Sequence, residues 1–119
     1  MTTYDIGKRL AELCKNSEFE TAQKELFAED VVSIEPFASM GFEKETHGLK
    51  AVIDKGLKFD AMVENIHSIN ISEPLIVPNS IAFILEMDVT MKGQPRSIMK
   101  ELCVYKVKDG KIISEEFFM

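Results

Sequence analysis

Between Ser80 and Met91 every second residue is apolar: Ile81, Phe83, Leu85, Met87, Val89 and Met91 alternate with Ala82, Ile84, Glu86, Asp88 and Thr90. A period of two held over this length predicts a long β-strand with one face buried. Such a strand needs neighbours to satisfy its backbone and a second layer to cover its apolar face. That requirement excludes an all-helical fold.

The rest of the second half supplies the neighbours. From about Val63 to Met119, turn signals at Pro78-Asn79, Lys92-Gly93-Gln94-Pro95 and Lys108-Asp109-Gly110 separate three or four long strands in an antiparallel meander. Lys100 and Lys106 mark an outward face, which sends Met99, Glu101, Cys103, Tyr105 and Val107 inward. A three-residue turn at Lys108-Asp109-Gly110 places Ile113, Glu115, Phe117 and Met119 on the same inner face, whereas a two-residue loop puts Glu116 there instead of Glu115. The outward set, with Ile98, Leu102, Val104, Ile112 and Phe118 beside the lysines and Glu116, is too apolar for water alone. A homodimer through the convex sheet face accounts for it, and a tightly curled sheet covering its own face is the alternative.

The covering layer comes from the first half. Ile6, Leu10, Leu13 and Cys14 form one helical stripe, capped by Thr2 or Thr3. Ser17-Glu18-Phe19-Glu20 has capping-box spacing and opens a second helix with the stripe Phe19, Ala22, Leu26 and Phe27, closed by Glu29-Asp30. Val31 to Glu35 alternates as a short strand, limited by Pro36, and the segment from Phe37 to His47 has no period and reads as a loop over one mouth of the fold. A third helix begins near Gly48, with Leu49, Val52 and Ile53 on one face and Gly56 on the same stripe. Three helices on one face of a curved antiparallel sheet make an α+β domain spanning residues 1–119.

Composition then removes whole classes of function. Fourteen Lys plus Arg against twenty Asp plus Glu leave a net charge of −6, which disfavours nucleic acid and anionic membrane surfaces as partners. No apolar run approaches the ~20 residues of a membrane span, and the first residues do not read as a secretory signal. Cys14 and Cys103 lie in apolar stretches and read as reduced core thiols, with one structural disulfide as the alternative; the expected location is the cytoplasm. The two histidines are on different elements without metal-ligand spacing, and the six glycines form no nucleotide-binding motif, so neither metal nor cofactor is expected. No Ser or Cys has a recognisable nucleophile context.

The order helix, helix, Phe27-Ala28-Glu29-Asp30-Val31-Val32-Ser33-Ile34-Glu35-Pro36, a helix opened by Thr46-His47-Gly48, and long strands with Lys92-Gly93-Gln94-Pro95 and Asp109-Gly110-Lys111-Ile112 resembles the SnoaL-like branch of the nuclear transport factor 2-like superfamily. The resemblance implies a cone-shaped, cystatin-like domain, a curved antiparallel sheet around three helices with an internal pocket, often dimeric through the sheet. Ketosteroid isomerase, in the same superfamily, carries its general base directly before a proline on the first strand, and Glu35-Pro36 looks like that position. Its two oxyanion donors match Leu10 and the region of Leu102 or Cys103 here, which argues against steroid isomerisation.

The chemistry therefore rests on inward carboxylates. Glu35 on a strand beside an apolar pocket is the first candidate general base, against the alternative of a solvated edge residue. Alternation on Glu64 to Ile71 puts His67 with Ile69 and Ile71, so His67 and Glu101 are the other catalytic candidates. Leu10, Phe83, Leu85, Met87, Met99, Cys103, Tyr105, Glu115 and Phe117 are the expected pocket lining for a small apolar ligand. Two functions fit: cofactor-free proton transfer on an apolar carbonyl compound by isomerisation, dehydration or cyclisation, and a non-catalytic ligand-binding or assembly module.

Overall fold

A computed structural model describes residues 1–39 and 41–119. The described residues form helices α1 (Thr3–Lys15), α2 (Phe19–Leu26) and α3 (Leu49–Met62), and strands β1 (Phe27–Ile34), β2 (Glu45–His47), β3 (Val63–Ile71), β4 (Leu75–Val77), β5 (Ser80–Met91), β6 (Ser97–Lys108) and β7 (Lys111–Phe118). The strands make one sheet in the order β2-β1-β7-β6-β5-β3, with β4 also paired to β5. All pairings are antiparallel except β1 with β7, which run parallel, so the expected antiparallel sheet is mixed at one junction. The cause is chain order: β1 enters from the helical half and joins the last strand.

The alternation on β5 is realised in full, since Ile81, Phe83, Leu85, Met87, Val89 and Met91 are all buried. They pack with Ile6, Leu10 and Leu13 of α1, Leu26 of α2 and Val52 of α3 in one core. Thr2 caps α1 in a reciprocal capping box with Asp5. The capping box expected at Ser17 does not form: Ser17 adopts φ 60 in the tight turn between α1 and α2, and Glu18 caps α2 without a side-chain bond. Phe27 begins β1 rather than extending α2, and the irregular register between Phe27 and Val32 absorbs the transition. The region expected as a loop contains β2, whose Glu45, Thr46 and His47 pair with Ile34, Ser33 and Val32, and a bridge between Ser39 and Phe42; Met40 lies outside the described residues.

Two irregularities decide which side chains face inward. The β6–β7 turn has two residues, Asp109 and Gly110, both at positive φ (53 and 76), as a type I′ hairpin requires. By simple alternation Glu116 would then face in. The register shifts between Lys106 and Val107, however, so that Ile112 pairs with Val107 and Ser114 with Lys106, leaving Ile113 as an extra residue. Ile112, opposite Val107 as the two-residue turn requires, is buried, contrary to its expected outward position, and the extra residue then returns Glu115 to the inner face opposite Tyr105. Met119, expected inward, is exposed.

The second irregularity lies on β3. Ile66 pairs with Val89 and Ser68 with Asp88, so two steps on β3 match one on β5 and His67 is the extra residue. The bulge resets the alternation: Ile69 and Ile71 keep the inner face while His67 is turned out, contrary to expectation.

Candidate functional site

Cross-strand register assembles a polar row inside the apolar cone. Ser33 on β1 pairs with Glu115 on β7, which pairs with Tyr105 on β6, and all three side chains are buried. Glu35 follows β1 two residues beyond Ser33 and so shares its face. Glu101 sits on β6 two residues from Cys103, which pairs with Phe117 of β7. From the opposite layer, α3 contributes Lys55.

The contacts among these groups are specific. Lys55 Nζ donates to Ser33 Oγ at 2.5 Å and to Glu35 Oε1 at 3.1 Å. Ser33 Oγ in turn donates to Glu115 Oε2 at 2.8 Å. The ammonium lies 5.7 Å from the centre of the Phe117 ring. The Lys55 side chain is 14% exposed and that of Glu35 27%, whereas Ser33 is fully covered and Glu115 is 5% exposed. The cluster thus opens to solvent at Glu35 and Lys55 and closes at Ser33 and Glu115.

Burial governs the protonation of the carboxyls. Desolvation, reinforced by the neighbouring charges of Glu35 and Glu115, pushes Glu101 up to about 7, with Lys55 opposing the rise. Glu115 is also raised by burial, against the opposing pull of Lys55 and the Ser33 hydrogen bond. Burial likewise raises the thiol of Cys14 to about 12 and pushes Cys103 and the Tyr105 hydroxyl up, so the thiols are inert. The structure therefore brings together two carboxyls in different surroundings: Glu35, partly open to solvent and paired with the Lys55 ammonium, and Glu101, which burial pushes up to about 7.

Of the sequence-derived candidates, Glu35 contacts Lys55, Glu101 and Glu115 lie within reach of its charge, and Leu10, Phe83, Leu85, Met87, Met99, Cys103, Tyr105 and Phe117 lie buried or half-buried in or against the core. His67 does not join them: it is exposed and bonded through Nε2 to Thr90 Oγ1 at 2.8 Å. Ser33 and Lys55 were not anticipated. Both carry a signal in the sequence, because Ser33 lies between Val31 and Glu35 on one strand face, and Lys55 falls on the stripe Val52, Phe59 and Met62 of α3. Two surface concavities of about 390 and 350 Å³ lie elsewhere, one around Lys106, Lys108 and Ile113 and one between Tyr4 and Ile76. Among the described residues no three His, Cys, Asp or Glu side chains are grouped so as to hold a metal ion, and no helix is long and apolar enough to cross a membrane.

Comparison with known proteins places this architecture. A Mesorhizobium loti protein named as a SnoaL-like polyketide cyclase is 30% identical over 100% of both chains, with a TM-score of 0.90. A Xanthomonas campestris protein of unknown function with a cystatin-like fold superposes at a TM-score of 0.83, with 18% identity over 99% of this chain and 90% of the other. A Mycobacterium tuberculosis protein in complex with estradiol-17β-hemisuccinate superposes at 0.76, with 19% identity over 100% of this chain and 95% of the other. No curated protein matches. The model of the SnoaL-like domain matches residues 1–119, and the chain belongs to that family.

Proposed function

We propose that this protein is a cofactor-free enzyme that moves a proton on a small, apolar carbonyl compound bound at the mouth formed by Glu35 and Lys55. The observation that carries the reading is the Glu101 carboxyl held at about 7 in a cluster where Glu35 faces the Lys55 ammonium at 3.1 Å. Glu35 is the base that takes a proton from the carbon next to the carbonyl, and Glu101 is the acid that supplies one. Met99 and Phe117, half-buried on the same inner face, offer the apolar contact for the ligand. Ligand binding in a relative, the estradiol hemisuccinate complex of the Mycobacterium tuberculosis protein, supports a small-molecule site in this fold.

The test is deuterium incorporation at the α-carbon of 1-indanone, followed by NMR in heavy water. Wild type accelerates exchange, and Glu35→Gln and Glu101→Gln each slow it by roughly a hundredfold or more. Exchange at the uncatalysed rate in wild type, with the indanone bound, supports the second reading, a non-catalytic binding module.

A homodimer through the convex face belongs to the same proposal. Ile84, Ile98, Leu102 and Phe118 are exposed there and form the apolar surface that two-fold pairing hides. Light scattering of wild type and Leu102→Glu decides it: a dimer that the charge disrupts is expected, and a wild-type monomer refutes it. A cytoplasmic location fits the two free, buried thiols, Cys14 and Cys103.

A further inference from the structure

Lys55 is gripped from inside the protein. Its ammonium donates outward to Glu35 Oε1 at 3.1 Å and inward to Ser33 Oγ at 2.5 Å. An ammonium only donates, so Ser33 must accept from it, and the single hydroxyl proton of Ser33 needs an acceptor of its own. Glu115 Oε2, at 2.8 Å, is that acceptor. With Lys55 charged, the hydrogen bonds have one order: inward from Lys55 through Ser33 to Glu115, and outward from Lys55 to Glu35.

The inward branch is the rigid one. Ser33 is fully covered and Glu115 nearly so, whereas the Glu35 side chain is partly open to water. An ion pair reached by water holds a long, flexible lysine only weakly. A buried hydroxyl with its donor and its acceptor both in place holds it firmly, because either bond broken leaves a polar group unsatisfied. The acceptor end of this brace depends on an irregularity in the sheet. Ser33 and Glu115 are cross-strand partners at the parallel β1–β7 junction, and Glu115 faces inward only because the extra residue Ile113 shifts the register of β7. The bulge therefore delivers the oxygen that the Ser33 hydroxyl needs.

We propose that Ser33 and Glu115 are positioning residues for the base: they fix the Lys55 ammonium from behind, and Lys55 so fixed sets the orientation of the Glu35 carboxylate. What the brace requires of Glu115 is an acceptor oxygen and not a charge, because a neutral carboxyl keeps its carbonyl oxygen. The inference rests on the proton-transfer reading of Glu35 and deepens it by naming the residues that act through Lys55.

Two readouts test it: nitrogen-15 NMR of the Lys55 ammonium, assigned by its loss in Lys55→Arg, and deuterium exchange into 1-indanone. In wild type the ammonium protons are expected to exchange with water more slowly than those of surface lysines, by about tenfold or more. Ser33→Ala and Glu115→Met are expected to lose that protection and to slow exchange at saturating indanone by about tenfold to a hundredfold, with indanone affinity unchanged. Glu115→Gln, which keeps an acceptor oxygen, is expected to retain both. Should Ser33→Ala and Glu115→Met fail to fold, the wild-type ammonium and Glu115→Gln decide. A wild-type Lys55 ammonium as labile as the surface ones, protection that survives Ser33→Ala, or loss of protection in Glu115→Gln overturns the proposal. A protected ammonium without indanone exchange in wild type removes the proton-transfer reading and leaves the brace standing. Exchange that depends on Glu35 but not on Ser33 or Glu115 removes the positioning role and leaves the base.

Discussion

Replacing Glu101 by Gln should make the protein more stable in alkaline solution and leave it almost unchanged in acid. In the folded protein the carboxyl titrates at about 7, against an ordinary value of 4.5. Between those values the folded state binds more protons than the unfolded chain, so stability falls as pH rises. The penalty is absent below the unfolded value and complete above the folded one. At 1.36 kcal/mol per pKa unit it amounts to about 3 kcal/mol. Gln has the same shape and no charge, so the variant lacks the penalty, and any loss from its amide hydrogen bonding is independent of pH. Urea unfolding of both proteins at intervals from pH 4.5 to 9 measures the difference. The midpoint of Glu101→Gln should move ahead of wild type by roughly 1–2 M across that range. Parallel pH profiles would refute the reasoning, because they would mean that the carboxyl is hydrated in the folded state.

Three further outcomes follow from the packing. Phe83→Ala removes a buried ring in contact with Tyr105, with centroids 5.4 Å apart, and should cost about 3–5 kcal/mol in chemical denaturation. Thr2→Ala deletes the cap of α1 and its reciprocal bond with Asp5, which should lower stability by about 1 kcal/mol, seen as a small fall in melting temperature. His67→Ala touches only the exposed bond to Thr90 and should leave indanone exchange at the wild-type rate; a large loss would return the histidine to the site.

Most of the sheet was legible because its signal is local. The alternation on β5 survives intact, and Lys100 and Lys106 orient β6 correctly, so Glu101 is found from the sequence. Bulges are where the reading fails. A single extra residue reverses every side chain beyond it, and neither Ile113 nor His67 carries a turn residue that announces one. At Glu115 the two-residue turn and the bulge cancel, so the right residue faces inward for a reason alternation does not contain. At His67 nothing cancels, and the residue leaves the site. The parallel β1–β7 pairing depends on contacts between the two ends of the chain, which no local pattern encodes.

The cluster itself was half legible. Glu35 stands out through its proline and Glu101 through its apolar neighbours, but a lysine in a helix ordinarily reads as a solvated residue. Lys55 was visible only as a charge on the stripe of Val52, Phe59 and Met62, and Ser33 only as a hydroxyl between two inward positions. Their meaning comes from each other, since an ammonium is tolerable at that depth because Ser33 and Glu35 receive it.

The account depends on one inner carboxyl remaining protonated close to neutral pH beside an ion-paired one. Carbon-13 NMR titration of the Glu101 side-chain carboxyl, assigned by comparison with Glu101→Gln, measures this directly. A midpoint near 7 is predicted, from burial and the neighbouring carboxylates. A midpoint near the ordinary 4.5 would contradict it, and with it the assignment of Glu101 as the acid of the site.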